Sequence, residues 1–321
     1  MVDTRVVCED KINVKFSMVW RNLGNVPSDI PRFVVRANRI KAHMASINAD
    51  IMCFSECKDS EEMDGCSALP MNSFLADVAG SRYEIYNQSG VATPNIPSKK
   101  FYLSVLVDKN KFYVEQSKMI PLSHSLWKPL VVNETDFNKS QFNRSLHCMR
   151  LFPFISNKIH CNQPFWIITT HLNIPQVNNS AETNFINDNI EKITNGEPYI
   201  LAGDFNYFPE VGRSEEQEEI MKVNHEDCFG SEVYEFGTGT ELRTTFVGFV
   251  NDNFKNKNIY DNTNRLDRVY VSKKHSLKIT DKKIDTRLFL FDGIKYYEEE
   301  NKVGRYDFPS DHFPLLFNVE L

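Results

Sequence analysis

The chain has little excess charge of either sign and no long apolar run. Lys+Arg number 37 and Asp+Glu 43 over 321 residues, a net charge of −6. That lacks the global basic field that draws proteins onto long nucleic acid without regard to sequence. A local basic groove stays compatible with it. No apolar stretch approaches membrane-spanning length, and the N-terminus is polar, without a signal-peptide pattern. Linkers, internal repeats and low-complexity segments are also missing, so the sequence reads as one domain over residues 1–321. Its 41% hydrophobic content is enough for a sizeable core.

Cysteine is sparse and odd in number. The seven thiols are scattered, and Cys53 and Cys148 sit in apolar runs. This suits reduced, buried thiols and a cytoplasmic or nuclear setting rather than a disulfide framework. Cys53 and Cys57 have no second Cys/His pair at zinc spacing, which argues against a structural zinc.

The most informative stretch is Glu197 to Pro209. Tyr199 to Ala202 is a short apolar run bounded by turn residues, the pattern of a strand buried on both faces. Gly203-Asp204-Phe205-Asn206 follows. In extended chain Asp204 and Asn206 share a face, where an acceptor beside an amide suits water activation next to an oxyanion. An ordinary strand-end turn has the same composition.

The same arrangement recurs along the chain. Val14 to Trp20 alternates as a strand and meets the turn-prone Arg21-Asn22-Leu23-Gly24. Residues 32–48 have helical spacing, and Ile51 to Phe54 is a strand leading to Ser55-Glu56. Tyr83 to Tyr86, Phe101 to Val107, Lys111 to Glu115 and Arg144 to Phe154 read as further strands. Phe165 to Thr170 is a strand that delivers His171-Leu172-Asn173. A helix over 182–193 returns the chain to the Asp204 strand. The acids from Glu215 to Glu219 read as the solvated face of a helix. Leu266 to Val271 is a strand bearing Asp267, a carboxylate that needs a histidine or arginine partner if buried. The chain closes with Ser310-Asp311-His312-Phe313-Pro314.

Singly, each polar strand end has a conformational explanation. As a set, Asn22, Glu56, His171, Asp204, Asn206, Asp267, Asp311 and His312 supply the parts of metal-assisted phosphoester hydrolysis. Asn22, Glu56 and Asp311 offer hard oxygen donors suited to Mg²⁺ or Mn²⁺. Asp267 suits the orientation of His312. His171, His312 and Asn206 suit a phosphoryl group's oxygens, with Asp204 on the attacking water.

These blocks, in this order and over Val14 to Val319, resemble the endonuclease/exonuclease/phosphatase superfamily. Gly203-Asp204-Phe205-Asn206 together with Ser310-Asp311-His312 is the specific part. The resemblance implies an α+β fold like that of deoxyribonuclease I, a four-layer α/β/β/α sandwich of two face-to-face mixed sheets with the site at one end. It implies Mg²⁺ at Glu56, with Asn22 and Asp311. It also implies Asp204 and Asn206 at water and phosphate, and an Asp267–His312 pair with His171 around the phosphate. Ser55 replaces the family's usual glutamine. The inositol-polyphosphate 5-phosphatase signature is absent, with Asn264-Arg265-Leu266-Asp267-Arg268 in its place.

The expected activity is phosphodiester hydrolysis in nucleic acid, of the nuclease, deadenylase or DNA-tyrosine phosphodiesterase kind. Arg21, Arg144, Arg243 and Arg268 near the motif loops are the candidates for local positive charge. The alternatives are a phosphatase or phosphodiesterase on a lipid or small molecule, or a binding protein on the same fold. The full set of retained polar residues argues against the last.

Overall fold

The computed structural model describes residues 14–23, 30–58, 71–88, 101–122, 144–156, 159–160, 163–173, 179–207, 214–230, 234–236, 240–242, 265–285, 312 and 314–321. Two β-α-β units define its frame. In the first, β1 (Lys15–Asn22) leads through α1 (Ile30–Ile47) to β2 (Ile51–Lys58), and β1 and β2 are parallel. In the second, β8 (Phe165–His171) leads through α3 (Asn179–Ile193) to β9 (Tyr199–Asp204), again parallel. Between them run α2 (Met71–Ala79), β3 (Tyr83–Gln88), β4 (Phe101–Asp108), β5 (Phe112–Leu122), β6 (Arg144–Ser156) and β7 (Ile159–His160). After β9 come α4 (Ser214–Asn224), β10 (His225–Asp227), β11 (Tyr234–Phe236), β12 (Thr240–Leu242), β13 (Asp267–Ser272), β14 (Lys278–Ile284) and β15 (Leu315–Glu320).

The first sheet has the order β14-β15-β1-β2-β4-β3, and the second β10-β13-β9-β8-β6-β5 with β7 paired to β6. Apart from the two parallel pairs, the strand pairings within them are antiparallel. Alternation along the strands sorts the apolar side chains into three layers. Met18, Trp20, Ile51, Cys53, Ile167, Ile200, Ala202 and Val269 meet in the core between the sheets. Val19, Met52 and Phe54 face outward beneath Ile40 and Met44 of α1 and Phe74 and Leu75 of α2. Trp166, Ile168, Tyr199 and Leu201 face outward beneath Ile186 and Ile190 of α3 and Met221 of α4. The result is the expected four-layer sandwich. Both faces of β9 are therefore covered, which is why its sequence is continuously apolar rather than alternating.

Several elements run beyond the bounds read from sequence. β1 runs on through Asn22, which pairs with Ser55, because the neighbouring β2 supplies a ladder for residues with turn-forming composition. β5 extends to Leu122, since β6 offers it partners down to Arg144. α3 begins at Asn179, ahead of Glu182. Cys53, Cys57, Cys148 and Cys228 are free and buried, as expected of reduced thiols.

Candidate active site

The inner faces of both sheets end in polar groups at one end of the sandwich. Along β1 the inward positions Met18 and Trp20 are followed by Asn22, and along β9 Ile200 and Ala202 are followed by Asp204. β8 ends at His171, in register with Asp204. β13 begins at Asp267, also in register with Asp204. His312 lies just before β15, which pairs with β1.

Glu56 reaches this cluster by a different route. Plain alternation would send it to the outer face with Met52 and Phe54. The β2–β4 register slips between Phe54 and Cys57, and Glu56 has a φ of 54°. A left-handed backbone at a non-glycine residue within a bulge re-aims the side chain. Its Oε1 then lies 3.3 Å from Asn22 Nδ2. Such strain collects where function needs an orientation the regular ladder does not give.

Asn22 stands at the centre. Its Nδ2 donates to Asp204 Oδ2 at 2.8 Å and lies 3.4 Å from His312 Nε2. His171 Nε2 is 3.5 Å from the same Asp204 oxygen and 3.9 Å from Glu56 Oε1. His312 Nε2 is 3.8 Å from Asp204 Oδ2. Thus Asn22, Glu56, His171, Asp204 and His312 surround one small space.

Asp267 lies behind it with both oxygens in use. Oδ2 is 2.7 Å from His312 Nδ1, and Oδ1 accepts from the Trp20 indole at 2.8 Å. A buried carboxylate at Nδ1 holds the proton there and turns Nε2 toward the site. The expected histidine partner of Asp267 is therefore His312.

Asn206 meets Asp204 through a turn rather than through extended alternation. Its φ is 49°, its backbone N–H donates to Asp204 Oδ1 at 2.9 Å, and its Nδ2 donates to the Leu172 carbonyl at 2.8 Å. This side-chain-to-backbone bond across two residues closes an Asx-type turn. Asn206 ties the Asp204 loop to the His171 loop. Gly203 is needed one residue earlier. A Cβ there would stand 2.6 Å from Thr170 Cγ2 and 2.7 Å from the Thr170 carbonyl oxygen. Asp311 lies outside the described residues.

The electrostatics follow from burial. Desolvation pushes the Asp204 carboxyl well up, His312 opposes this, and Asp267 and Glu56 add to it. Burial, helped by Arg144 and His312, holds His171 well below the usual imidazole range, so it is neutral near pH 7. Three carboxylates converge here beside the neutral His171, leaving negative charge that a cation would offset. Glu56, His171 and Asp204 each present a ligand atom within 4.8 Å of the others. The carboxylate oxygens fit a hard divalent ion, whereas Asn22 turns its Nδ2, not its amide oxygen, toward them.

The expected arginines divide. Arg21 is buried with its guanidinium 2.9 Å from His43 Nδ1. Arg268 is buried against Asp227 and Glu218. Both were candidates for local positive charge near the motif loops, and both are turned inward. Arg144 does lie at the site, and Arg243 is outside the described residues. Two contributors went unforeseen. Trp20 sits two residues before Asn22 on the same face, which is the signal that marks it. Asn179 Nδ2 bridges the Asn173 and Phe205 carbonyls at 2.7 and 2.6 Å, and no local pattern announces that.

A sequence model described as the Endonuclease/Exonuclease/phosphatase family matches residues 13–312. No curated protein sequence matches. Solved structures do. An endonuclease/exonuclease/phosphatase family protein from Bacteroides thetaiotaomicron is 16% identical with a TM-score of 0.67, covering 97% of this chain and 99% of that one. A mannosyl-6-phosphatase from the same organism is 16% identical with a TM-score of 0.64, covering 95% and 99%. The human Nocturnin catalytic domain with bound sulfate is 16% identical with a TM-score of 0.60, covering 96% of each chain. Among the described residues no helix is long and apolar enough to cross a membrane. With the family match spanning nearly the whole chain and the same fold in these structures, the chain belongs to the endonuclease/exonuclease/phosphatase family, whose members are phosphoester hydrolases.

Proposed function

We propose that this chain is a Mg²⁺-dependent phosphodiesterase that hydrolyses a phosphoester bond in nucleic acid. The observation that carries the reading is the convergence of Asn22, Glu56, His171 and Asp204 on one space backed by the Asp267–His312 pair. Glu56 and Asp311, with the Asn22 amide turned to present its oxygen, would hold Mg²⁺, and Mn²⁺ suits the same oxygens. Bound there, the ion would polarise a phosphoryl oxygen and offset developing negative charge.

The chain's own groups supply the rest. Asp204 is fixed by the Asn206 N–H on one oxygen and the Asn22 amide on the other. Its raised proton affinity suits it to orient water and accept a proton near neutral pH. His171 and His312 approach the same Asp204 oxygen, so a phosphoryl group held there would meet both Nε2 atoms. Asn206 joins the two loops that carry these groups. Asp267 and Trp20 keep His312 oriented. The free buried thiols support a cytoplasmic or nuclear setting.

A second reading, hydrolysis of a small phosphorylated molecule, is favoured by the inward burial of Arg21 and Arg268, which removes two cations from the expected nucleic-acid track. A panel separates the two: single-stranded DNA, RNA including poly(A), a 5′-tyrosyl oligonucleotide, mannose 6-phosphate, a phosphoinositide and sphingomyelin, each with and without Mg²⁺. EDTA-sensitive cleavage of a nucleic acid supports the first reading. Turnover of a small phosphate or lipid alone replaces it with the second.

A further inference from the structure

The outer face of the first sheet carries a buried polar chain that lies outside the site described above. Arg21 shares the outward side of β1 with Val19, beneath α1. Its Nη1 lies 2.9 Å from Nδ1 of His43 on α1. His43 Nε2 lies 3.0 Å from Oδ2 of Asp285, the residue just past β14. All three side chains are buried. A guanidinium only donates, so His43 Nδ1 accepts, and the ring proton sits on Nε2, where it is donated to Asp285. The bonds therefore run in one direction, from Arg21 to His43 to Asp285.

This chain spans the strands that carry two site residues. The sheet order is β14-β15-β1, so a link from β1 to the end of β14 crosses the start of β15. Leu315 pairs there with Trp20 on one side and Ile284 on the other. The Asp285 backbone N–H donates to the Pro314 carbonyl at 2.8 Å. Asp285 thus grips the segment between His312 and β15 by its backbone, and His43 by its side chain. At the other end, Arg21 immediately precedes Asn22. Asp267 orients the His312 ring from inside the sandwich, while the outer chain holds the backbone on which that ring stands. Buried charges joined in this way add little over apolar packing, and their best-attested use is to fix register.

We propose that His43 is a positioning residue, joining Arg21 to Asp285 so that Asn22 and His312 keep their places in the site. The reaction it serves rests on the phosphoester reading above, whereas the link itself stands on these bonds. A His43 serving only the packing of α1 would matter for stability and leave the His312 ring and the turnover of folded protein unchanged.

Heteronuclear NMR of the imidazole rings and Mg²⁺-supplemented hydrolysis of bis(p-nitrophenyl) phosphate test it on the full chain. Wild-type His43 is expected to carry its ring proton on Nε2 alone; a proton on Nδ1 would overturn the link. His43→Leu should shift the His312 ring signals and lower kcat at least about ten-fold with KM little changed, since misplacing a reacting group by about 1 Å can cost about 100-fold. His43→Gln, which keeps an acceptor and a donor on one planar group, should recover most of kcat. Asp285→Ala keeps the backbone bond to Pro314, and it should act like His43→Leu and add nothing to it in the double variant. Wild-type kcat or unmoved His312 signals in folded His43→Leu would overturn the proposal, and the same results in Asp285→Ala decide it if His43→Leu fails to fold. If the wild-type protein leaves the diester intact, the phosphoester reading falls and the His312 signals alone decide the link, a shift supporting it and none overturning it.

Discussion

Asp267 stands in register with Asp204 across β13 and β9, so two buried carboxylates open the same end of adjacent strands. They are treated differently by their surroundings. Asp267 has the Trp20 indole on one oxygen and His312 on the other. Asp204 faces the site, and its proton affinity is raised by burial and by Asp267 itself. One carboxylate is held by two side-chain partners as an anchor while the other is set to exchange a proton, a division of labour that environment alone creates.

That division predicts opposite effects of Asp204→Asn on activity and stability. Turnover should fall at least about 100-fold, the usual worth of a positioned base. Thermal stability should hold or rise, because a buried charge that burial disfavours has been removed. Parallel rate and melting measurements check it. A variant with near wild-type turnover would remove Asp204 from the chemistry.

Trp20→Phe keeps the ring in the inter-sheet core and deletes the donor to Asp267. An unsatisfied buried carboxylate oxygen costs about 1–3 kcal/mol, readable by urea unfolding. The rate should fall as well, since His312 loses part of its anchoring, while a loss of stability with full turnover would show that the anchor serves folding alone.

Gly203→Ala places a methyl group within the van der Waals shell of Thr170, partly against backbone. Overpacking of this kind costs about 1–3 kcal/mol. Because β8 and β9 carry His171 and Asp204, activity should drop together with the melting temperature. An unchanged melting temperature would contradict the tight approach of these strands.

Glu182 gives the fold a stability that declines from acidic to neutral pH. Burial, opposed by the Asn173 bonds and Arg144, raises its carboxyl from 4.5 to about 7. The folded state therefore holds this proton more tightly than the unfolded chain. Its contribution is fully present below pH 4.5 and is lost as pH rises through about 7. The size is on the order of 3 kcal/mol. Stability measured across that window should decline with a slope that Glu182→Gln flattens. An equal slope in the variant would assign the pH dependence to other groups.

Much of this site was legible because its residues end apolar strands. A polar group after a buried run, as in Gly203-Asp204-Phe205-Asn206 or at His171, has to face a cleft or be paired, and here the strand ends converge. The side on which Glu56 would point was not legible. Alternation alone places it outside, and the slip in the β2–β4 register that brings it inward depends on a partner strand far along the chain. The two inward arginines were misjudged for a similar reason. Arg21 and Arg268 lie in strands buried by α1 and by α4, and their partners His43, Glu218 and Asp227 are set by tertiary packing. Trp20 was readable as a strand residue, but its bond to Asp267 spans 247 positions.

The most direct test is hydrolysis of the preferred panel substrate by the wild-type protein across a Mg²⁺ titration, with Glu56→Gln run alongside. The account predicts activity that EDTA abolishes and Mg²⁺ restores. Glu56→Gln should need far more Mg²⁺, or lose turnover outright, while remaining folded. Hydrolysis that persists in EDTA, or a Glu56→Gln variant with the wild-type Mg²⁺ response, would contradict a metal-assisted phosphoesterase at this site.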